Sequence, residues 1–355
     1  MKPDTKAKYD IATSMAGKTV MVAGGAGFLG SHLCRAHLDR GARVICVDNL
    51  STGRFSNISS LLDDPDFAFV QHDVIQKFEP AEPIDFIFNM ASPASPPKYQ
   101  MDPIATFETN VIGSENLLKL ASQTGARILQ ASTSEVYGDP LISQQVENYR
   151  GNVQTMGPRS CYDEGKRAAE TLFYEFHKHR GVDIRVARIF NTYGPMMDPA
   201  DGRVVSNFIV QALSGSDLTV YGDGMQTRSF CYVDDLLSGL MALMYTEADL
   251  ARPVNLGNPD EFTIMELAEK VLELTQGRSR LVFKDLPEDD PMQRRPHIAR
   301  AHTLLGWKPK FSLREGGLVT VTFRSLNSFM RPFVRMPRGF SRRAMSDVGV
   351  DYRSH

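Results

Sequence analysis

A glycine-rich turn between a short apolar strand and a helix constrains this fold more than any other feature of the sequence. The segment 19–32, TVMVAGGAGFLGSH, begins with a run that predicts a buried strand, and its glycines then open a helix. Gly25, Gly27 and Gly30 fit the pattern G-x-G-x-x-G, whereas Gly24, Gly27 and Gly30 are spaced by three residues. Glycines in this arrangement permit a tight turn, let the backbone approach a pyrophosphate and let the helix pack closely on the strand. The segment therefore predicts a dinucleotide site.

A second apolar run indicates which dinucleotide the turn would hold. The run 44–47 predicts another buried strand, and Asp48 follows it, 18 residues after Gly30. A carboxylate at this distance typically accepts hydrogen bonds from the adenosine ribose, and its charge would repel a 2′-phosphate. The sequence therefore favours NAD over NADP, although Arg54 lies close enough along the chain to keep NADP as an alternative.

The composition is that of an ordinary globular protein. The 355 residues are 42% hydrophobic and 23% charged, and a formal net charge of −2 argues against a dedicated nucleic-acid binder. No apolar run approaches the ~18 residues of a membrane-spanning helix, and the N-terminus lacks the apolar core of a signal peptide, so we expect a cytoplasmic protein without a membrane segment. The four cysteines lack C-x-x-C spacing, and we expect reduced thiols.

Strands and helices alternate along the first half of the chain. Apolar runs predict strands at 19–23, 43–47, 67–71, 85–89, 127–131 and 183–190, and amphipathic segments predict helices at 28–40, 103–123 and 161–179. Continuous apolar strands separated by helices are typical of a parallel sheet that is covered on both faces. We therefore predict an α/β fold with a Rossmann-like, doubly wound parallel sheet.

The second half predicts a smaller substrate lobe and a tail. Helices are predicted at 203–213, 234–245 and 263–275, and short strands at 218–221, 253–256 and 280–283. The predicted organisation is an arm at 1–18, an NAD-binding domain at 19–194 to which later segments contribute, a substrate lobe at 195–318 and a basic tail at 319–355. Residues 324–355 contain seven arginines and two aspartates, which favours disorder in the tail.

Polar residues follow several of the predicted strands, at the sheet edge where ligands bind in such folds. Asp73 follows the third strand and could accept a hydrogen bond from an adenine amino group, although a turn role fits equally well. The segment 132–138, STSEVYG, places two hydroxyls, a carboxylate and a phenol after the fifth strand. So many polar groups near one point favour a site over a simple connection.

Tyr162 and Lys166 lie four residues apart on a predicted helix and therefore share one face. An unperturbed phenol titrates near pH 10, so a base that works near neutrality needs a pKa lowered by about three units, or about 4 kcal/mol. A nearby ammonium, together with a positive nicotinamide ring, would favour the phenolate. Tyr162 is therefore predicted to be a general base, with Thr133 or Ser132 donating a hydrogen bond to the same substrate oxygen.

These motifs resemble those of the extended short-chain dehydrogenase/reductase superfamily of nucleotide-sugar enzymes. GGAGFLGSH, the Tyr162 and Lys166 pair and the hydroxyl cluster at 132–134 carry that resemblance. More narrowly, longer strings are similar to those of the UDP-glucuronate decarboxylases, also called UDP-xylose synthases: ASPASPP, STSEVYGDP, CYDEGKR, RVARIFNTYGP, DGRVVSNFI and TRSFCYVDD. The likeness extends from about residue 19 to about residue 318.

The resemblance implies a set of site residues and partners. The catalytic set would be Thr133, Glu135, Tyr162 and Lys166, with Glu135 handling the proton at sugar C5. The last two would also contact NAD, together with Gly24, Gly27, Phe28, Leu29, Gly30, Asp48, Asn49, Thr52, Gly53, Asp73, Val74 and Ser92. UDP-glucuronate would be held by Asn191, Arg203, Asn207, Arg228 and Arg294, since an anion of this kind requires guanidinium and amide donors. No metal ligand is assigned.

The resemblance also implies a homodimer. Two of the predicted helices, 103–123 and 161–179, carry apolar residues that could form its interface: Leu117, Leu118, Leu172 and Phe173. These side chains could equally well cover the sheet. Glu108 stands where relatives often have a lysine near the substrate.

The reaction that the resemblance implies is NAD-dependent decarboxylation of UDP-glucuronate to UDP-xylose through a UDP-4-keto intermediate, with NAD regenerated in each cycle. Two alternatives are an NAD-dependent UDP-sugar 4-epimerase and a nucleotide-sugar dehydratase. Ser134 stands where a related dehydratase has an acidic residue, and simple 4-epimerases usually lack the carboxylate found at Glu135. An alternative of another class is a nucleotide-sensing binding protein without turnover.

Overall fold

The computed structural model describes residues 14–329, apart from residue 249 and residues 287–292, and only the backbone of 326–329. The fourteen strands are β1 Thr19–Ala23, β2 Arg43–Asp48, β3 Phe67–Gln71, β4 Phe86–Asn89, β5 Arg127–Thr133, β6 Ile184–Ile189, β7 Thr192–Tyr193, β8 Leu218–Tyr221, β9 Thr227–Ser229, β10 Cys231–Tyr232, β11 Val254–Leu256, β12 Glu261–Thr263, β13 Leu281–Lys284 and β14 Gln293–Arg294. The helices are α1 Phe28–Leu38, α2 Pro96–Tyr99, α3 Pro103–Glu108, α4 Ser114–Thr124, α5 Ser160–Arg180, α6 Val204–Ser214, α7 Val233–Tyr245, α8 Ile264–Thr275, α9 Ala299–Leu305 and α10 Leu313–Phe329.

Seven strands form one parallel sheet in the order β11-β6-β5-β4-β1-β2-β3. The central strands are buried on both faces, as their continuous apolar sequences predicted. The chain order reverses between β1 and β4, and at such a switch point the strand ends leave a crevice for ligands. The predicted Rossmann-like α/β fold is confirmed.

The turn from β1 into α1 is close-packed because of its glycines. A Cβ atom on Gly30 would lie only 2.1 Å from the carbonyl oxygen of Gly24, so any larger residue would push the helix away from the strand. Gly24 itself has a φ of +77°, in the left-handed region that favours glycine. The turn therefore brings the N-terminus of α1 to the edge of the sheet.

The predicted helix 103–123 is not one regular helix. It consists of α3, a π-helical turn over Thr109–Gly113, and α4. In the turn, the Asn110 side chain donates to the carbonyl oxygen of Thr106 at 3.0 Å, which occupies an acceptor of the helix. A 3.6-residue periodicity does not reveal such a one-turn change.

The later segments form small sheets of their own and also return to the large sheet. Strands β12, β9 and β14 form one small sheet, and β13 pairs with β8. Helix α7 packs on β5 and β6, and β11 extends the large sheet beside β6. Helix α10 continues to Phe329, whereas the basic tail was predicted to begin at residue 319. The rest of the predicted tail and residues 1–13 of the predicted arm lie outside the described residues.

Three of the four residues predicted for a dimer interface are core residues. Leu117, Leu118 and Phe173 are at most 1% exposed and pack with the sheet, so their assignment to an interface was wrong. Leu172 is partly buried against the same cluster. The exposed apolar side chains of this region include Ile104 and Phe107 on α3 and Ile112 in the π turn.

Two simpler expectations can also be checked. All four cysteines are free thiols, as predicted. Within the described part of the chain, no helix combines the length and apolar character needed to cross a membrane.

Candidate active site

A cleft of about 460 Å³ opens at the C-terminal ends of β1, β4, β5 and β6, and we call it the main cleft. Its lining includes Gly24, Ser92, Thr133 and Asn191, each of which ends or follows one of these strands. A narrower cleft, the Asp48 cleft, shares part of this lining and continues along the end of β2. The sheet edge thus provides one long site with two compartments.

The Asp48 cleft carries the chemistry of an adenosine site. The Asp48 carboxylate accepts from the backbone N–H groups of Ala26 and Leu50 at 2.9 and 2.8 Å. Burial raises its pKa, while these two hydrogen bonds oppose the rise. A Cβ on Gly53 would lie 2.6 Å from an Asp48 oxygen, so glycine keeps the carboxylate accessible. The compartment also contains predicted cofactor residues that frame an opening: Asn49, Thr52, Asp73, Val74 and Ser92.

Asp73 is held in place by its neighbours. Its Oδ2 accepts from Asn49 Nδ2 at 2.9 Å, and its Oδ1 accepts from the backbone N–H of Ile75 at 3.0 Å. A carboxylate fixed in this way retains lone pairs for a further donor such as an amino group. The residues of the β1 to α1 turn that were predicted to contact NAD line the main cleft: Gly24, Gly27, Phe28, Leu29 and Gly30. The residues present therefore fit a dinucleotide.

The Arg54 side chain lines the main cleft rather than the Asp48 cleft. Its Nη1 is 3.5 Å from Asp198 Oδ1. The pairing with Asp198 directs the Arg54 guanidinium into the main cleft and not toward the compartment in which a 2′-phosphate would lie. The position of Arg54 therefore gives the NADP alternative no support.

Tyr162 lies on the first turn of α5, with its hydroxyl hydrogen-bonded to Thr133. Ser132 faces a different group, because its hydroxyl donates to Glu170 Oε1 at 2.5 Å. Lys166 donates from Nζ to the Ala131 carbonyl oxygen at 2.9 Å, and the same Nζ lies 5.7 Å from the centre of the Tyr162 ring. Of the two hydroxyls that the sequence left open, Thr133 is the one that faces the phenol.

The electrostatics of this pair differ from the sequence prediction. Burial, reinforced by the Glu135 carboxylate, raises the pKa of Tyr162 above its usual range, and Thr133 and Arg203 only partly oppose the rise. Burial also lowers the pKa of Lys166 to about 7, which weakens the positive charge that was expected to acidify the phenol. The protein alone therefore holds the pKa of Tyr162 high. The predicted acidification also depends on the nicotinamide ring of a bound cofactor, so it stays a prediction.

A buried charged cluster lies next to this pair. Glu135 Oε2 is 3.0 Å from Arg159 Nη2, and Glu135 Oε1 is 3.3 Å from Arg294 Nη1. Although burial opposes ionisation of Glu135, the two guanidiniums lower its pKa to about 2. The carboxyl of Asp163 is hydrogen-bonded to Glu135, and burial together with that neighbour raises the Asp163 pKa to about 8. At neutral pH Glu135 is ionised and Asp163 carries a proton.

The main cleft has more basic than acidic side chains. Its basic residues are Arg54, Lys98, Arg159, Lys166, Arg203, Arg228 and Arg294, and its acidic residues are Glu135, Asp198 and Asp201. Arg203 is held by two contacts to Asp201, at 2.5 and 2.9 Å, which fix the direction of its guanidinium. Such a lining suits a ligand with several negative charges.

Not every predicted residue reaches a cleft. Asn207 is absent from the lining; its Nδ2 donates to the Gly202 carbonyl oxygen at 2.8 Å, so it supports the segment that carries Arg203. Glu108 does not line either cleft. The acidic part of the segment before Arg294, residues 288–290, lies outside the described residues.

Sequence reasoning missed three residues at this site. Arg159 and Asp163 contact Glu135, and Tyr99 stacks on Tyr162. A usable signal existed for two of them, since Arg159 and Asp163 flank the catalytic tyrosine candidate on the same helical turn.

Comparisons with known proteins agree with this geometry. Residues 20–257 match the family model described as the NAD dependent epimerase/dehydratase family. UDP-glucuronic acid decarboxylase 2 of Arabidopsis thaliana is 52% identical over 312 residues, which cover 88% of this chain and 69% of that protein. UDP-glucuronic acid decarboxylase 1 of Danio rerio is 50% identical over 308 residues, which cover 87% of this chain and 73% of that protein.

A solved structure extends the likeness to three dimensions. UDP-glucuronic acid 4-epimerase from Bacillus cereus, in complex with UDP-glucuronic acid and NAD, is 25% identical with a TM-score of 0.78. The match covers 87% of this chain and 99% of that one. Together these matches confirm the resemblance seen in the sequence, and the chain belongs to the NAD dependent epimerase/dehydratase family.

Proposed function

We propose that this protein catalyses the NAD-dependent decarboxylation of UDP-glucuronate to UDP-xylose. The observation that carries the proposal is the position of the Arg159–Glu135–Arg294 cluster beside the hydrogen-bonded Tyr162 and Thr133, in one basic cleft. Relatives at about half identity over most of this chain are named for the same reaction. A uronic acid linked to a diphosphate has the charges that this lining accommodates.

In this proposal the protein positions the sugar and moves its protons. Tyr162 would take the proton of the 4-hydroxyl, which requires that the positive nicotinamide ring of bound NAD lower the raised pKa of the phenol. Thr133 holds the phenol in the direction of that oxygen. The chemistry that NAD would supply is the removal of the C4 hydride and its later return. Once C4 is a ketone, the C5 carboxylate is β to a carbonyl, and Tyr162 and Thr133 face the oxygen on which enolate charge develops. Glu135 handles the proton that C5 takes up.

The remaining predicted residues have supporting roles. Asn191, Arg203, Arg228 and Arg294 line the main cleft and would hold the diphosphate and the carboxylate. Asn207 would not contact the substrate; its hydrogen bond to the Gly202 carbonyl oxygen would hold the segment that carries Arg203. The residues of the Asp48 cleft would hold the adenosine half of NAD.

One rival has a specific observation in its favour. The Bacillus cereus structure is that of a 4-epimerase bound to UDP-glucuronic acid, so this fold can also accept that sugar without removing its carboxylate. The two reactions differ in the product, since an epimerase returns a uronic acid. A binding protein without turnover gives no product.

The test is an incubation of the purified protein with UDP-glucuronate and NAD, followed by detection of CO2 and of UDP-xylose by NMR. We expect both products in equal amounts and no product with Tyr162→Phe. A product that keeps its carboxylate would favour the epimerase, and unchanged substrate at all pH values would favour the binding protein.

We also propose a homodimer that is formed through α3 and the π turn. Ile104 is 72% exposed, and Phe107 and Ile112 are also exposed on this surface, which packs beside α5. Phe107→Glu should therefore convert a dimer to a monomer in analytical ultracentrifugation, whereas a wild-type monomer would contradict the proposal. The cytoplasmic location expected from the sequence stays a prediction.

A further inference from the structure

We propose that Asp163 stores, in its hydrogen bond to Glu135, the proton that sugar C5 takes up when carbon dioxide leaves. This inference rests on the proposed decarboxylase function and adds a residue to it. Asp163 is 7% exposed and does not line either cleft, so it would act through Glu135 and is a positioning residue rather than a catalytic one.

The geometry requires that the two carboxyl groups share a proton. Two carboxylates in hydrogen-bond contact cannot both be ionised without a large repulsion, so one of them must supply the proton of the bond. Glu135 receives both guanidiniums, whereas Asp163 Oδ1 is buried and accepts no hydrogen bond from the described residues. The proton therefore resides on Asp163.

The charged and titratable groups that surround Asp163 come from four elements. They are Glu135 from the turn after β5, Arg159 and Tyr162 from the start of α5, Arg294 from β14 and Tyr99 from α2. The two arginines stabilise Glu135 as a carboxylate, and burial together with Glu135 keeps Asp163 neutral, with a pKa of about 8. The pair thus holds one proton at neutral pH.

The proton balance of decarboxylation matches what the pair can deliver. The C5–C6 bond breaks, its electrons enter the enolate conjugated with C4, and carbon dioxide leaves. C5 then forms a bond to one proton: Asp163 gives its proton to the ionised Glu135, and Glu135 passes that proton on to C5. The pair is left with two carboxylates, and solvent later restores the proton.

The charges of Arg159 and Arg294 can stabilise the state in which Glu135 and Asp163 are both ionised. Before reaction, Glu135 faces Arg159 and Arg294, and in the proposal the substrate carboxylate lies beside the same two arginines. After reaction, the substrate charge has left as neutral carbon dioxide, and the second carboxylate of the pair replaces it. The total charge of the cluster is unchanged, so no uncompensated charge forms in the buried site.

The test compares the pH dependence of kcat for UDP-glucuronate decarboxylation between the wild type and Asp163→Asn. Asparagine can still donate a hydrogen bond to Glu135 but holds no transferable proton. We expect the ratio of the variant's kcat to that of the wild type to be about one tenth or lower at pH 7. The ratio should rise toward one above pH 8 as the wild type loses the Asp163 proton. Titratable groups that both proteins share, such as Lys166, affect both kcat values alike, so their effect cancels in this ratio.

The control variant is Glu164→Gln, the next residue on α5, whose side chain points toward Arg167 at the surface. Its ratio should remain near one at every pH. A ratio for Asp163→Asn that is near one at pH 7, or that does not change between pH 6.5 and pH 9.5, would overturn the proposal. A purely structural role lowers the ratio equally at all pH values.

A second variant covers the case in which Asp163→Asn does not fold. Asp163→Glu keeps a carboxyl that can hold the proton, so it should bind UDP and keep measurable decarboxylation at pH 7. A folded, UDP-binding Asp163→Glu without turnover at pH 7 would also overturn the proposal. If instead the wild type itself releases no carbon dioxide, the proposed function fails, and the two failures are thereby distinguished.

Discussion

The ring of Tyr99 lies parallel to the ring of Tyr162, with ring centres 4.9 Å apart and an angle of 5° between the planes. Tyr99 is fully buried, and its hydroxyl has no hydrogen-bond partner among the described residues. Tyr99 therefore supports Tyr162 by stacking of the aromatic rings and not by a hydrogen bond from its hydroxyl. It fixes one face of the phenol, while the hydroxyl of Tyr162 is fixed by Thr133.

Tyr99→Phe and Tyr99→Ala should separate these two contributions. Phenylalanine keeps the stacked ring and removes an unsatisfied buried hydroxyl, so we expect kcat within about twofold of the wild type and no loss of stability. Alanine leaves a cavity that should cost about 3 to 5 kcal/mol of unfolding free energy and should lower kcat as Tyr162 loses its support. Urea unfolding and steady-state kinetics measure both effects. Equal kinetics for the two variants would show that stacking does not position Tyr162.

Two adjacent arginines allow a matched test of the substrate site. Arg294 is buried in the main cleft beside Glu135, whereas Arg295 donates to the Pro259 carbonyl oxygen and pairs with Glu261 outside it. Arg294→Gln should lower kcat/KM for UDP-glucuronate at least about 30-fold, or about 2 kcal/mol, because a charged donor is lost in a buried site. Arg295→Gln should remain within about threefold. Similar losses for both would mean that Arg294 has no special place at the substrate.

Cofactor selectivity should depend on Asp48 and not on Arg54. We expect the wild type to bind NADH at least about tenfold more tightly than NADPH, because the Asp48 carboxylate repels a 2′-phosphate. Asp48→Asn should reduce that ratio, although one backbone N–H loses its acceptor at a cost of about 1 to 3 kcal/mol in stability. Arg54→Gln serves as the control and should leave the ratio unchanged. Nucleotide fluorescence titrations give the Kd values, and a ratio that responds to Arg54 instead would restore the NADP alternative.

The parts of the fold that the sequence predicted are those that local patterns determine. The β1 to α1 turn depends on glycines within six residues, and Tyr162 and Lys166 share a face because a helix repeats every 3.6 residues. Burial on both faces makes the central strands continuous apolar runs, which revealed a parallel sheet before any strand pairing was known.

The parts that the sequence did not predict depend on contacts between distant segments. Glu135 and Arg294 are 159 residues apart, so no spacing rule brings them together. The raised pKa of Tyr162 and the lowered pKa of Lys166 come from burial, which a helical pattern does not quantify. Leu117 and Leu118 were open to two interpretations because an apolar helix face looks the same whether a sheet or a second subunit covers it.

The burial of Lys166 should be visible as a pH dependence of stability. Its pKa is about 7 in the folded protein and near 10.4 in an unfolded chain. Between these values only the unfolded chain binds the proton, so this lysine makes the free energy of unfolding rise with pH by up to about 1.4 kcal/mol per unit. Below pH 7 both states are charged, and the folded state carries the full cost of the buried ammonium.

Lys166→Met removes this dependence, so we expect the stability of the wild type relative to the variant to increase by about 2 to 3 kcal/mol between pH 6.5 and pH 9. Taking the difference between the two proteins removes the contributions of other titratable groups to the pH dependence of the free energy of unfolding. One of them is Asp163, whose raised pKa makes the folded protein less stable as pH rises, because the folded state binds the Asp163 proton. Urea unfolding at the two pH values without added nucleotide gives the measurement. Lys119→Met, on the exposed side of α4, is the control and should differ from the wild type by the same amount at both pH values. A difference for Lys166→Met that does not change with pH would mean that the ammonium is retained in the folded site, and Lys166 could then acidify Tyr162 as the sequence suggested.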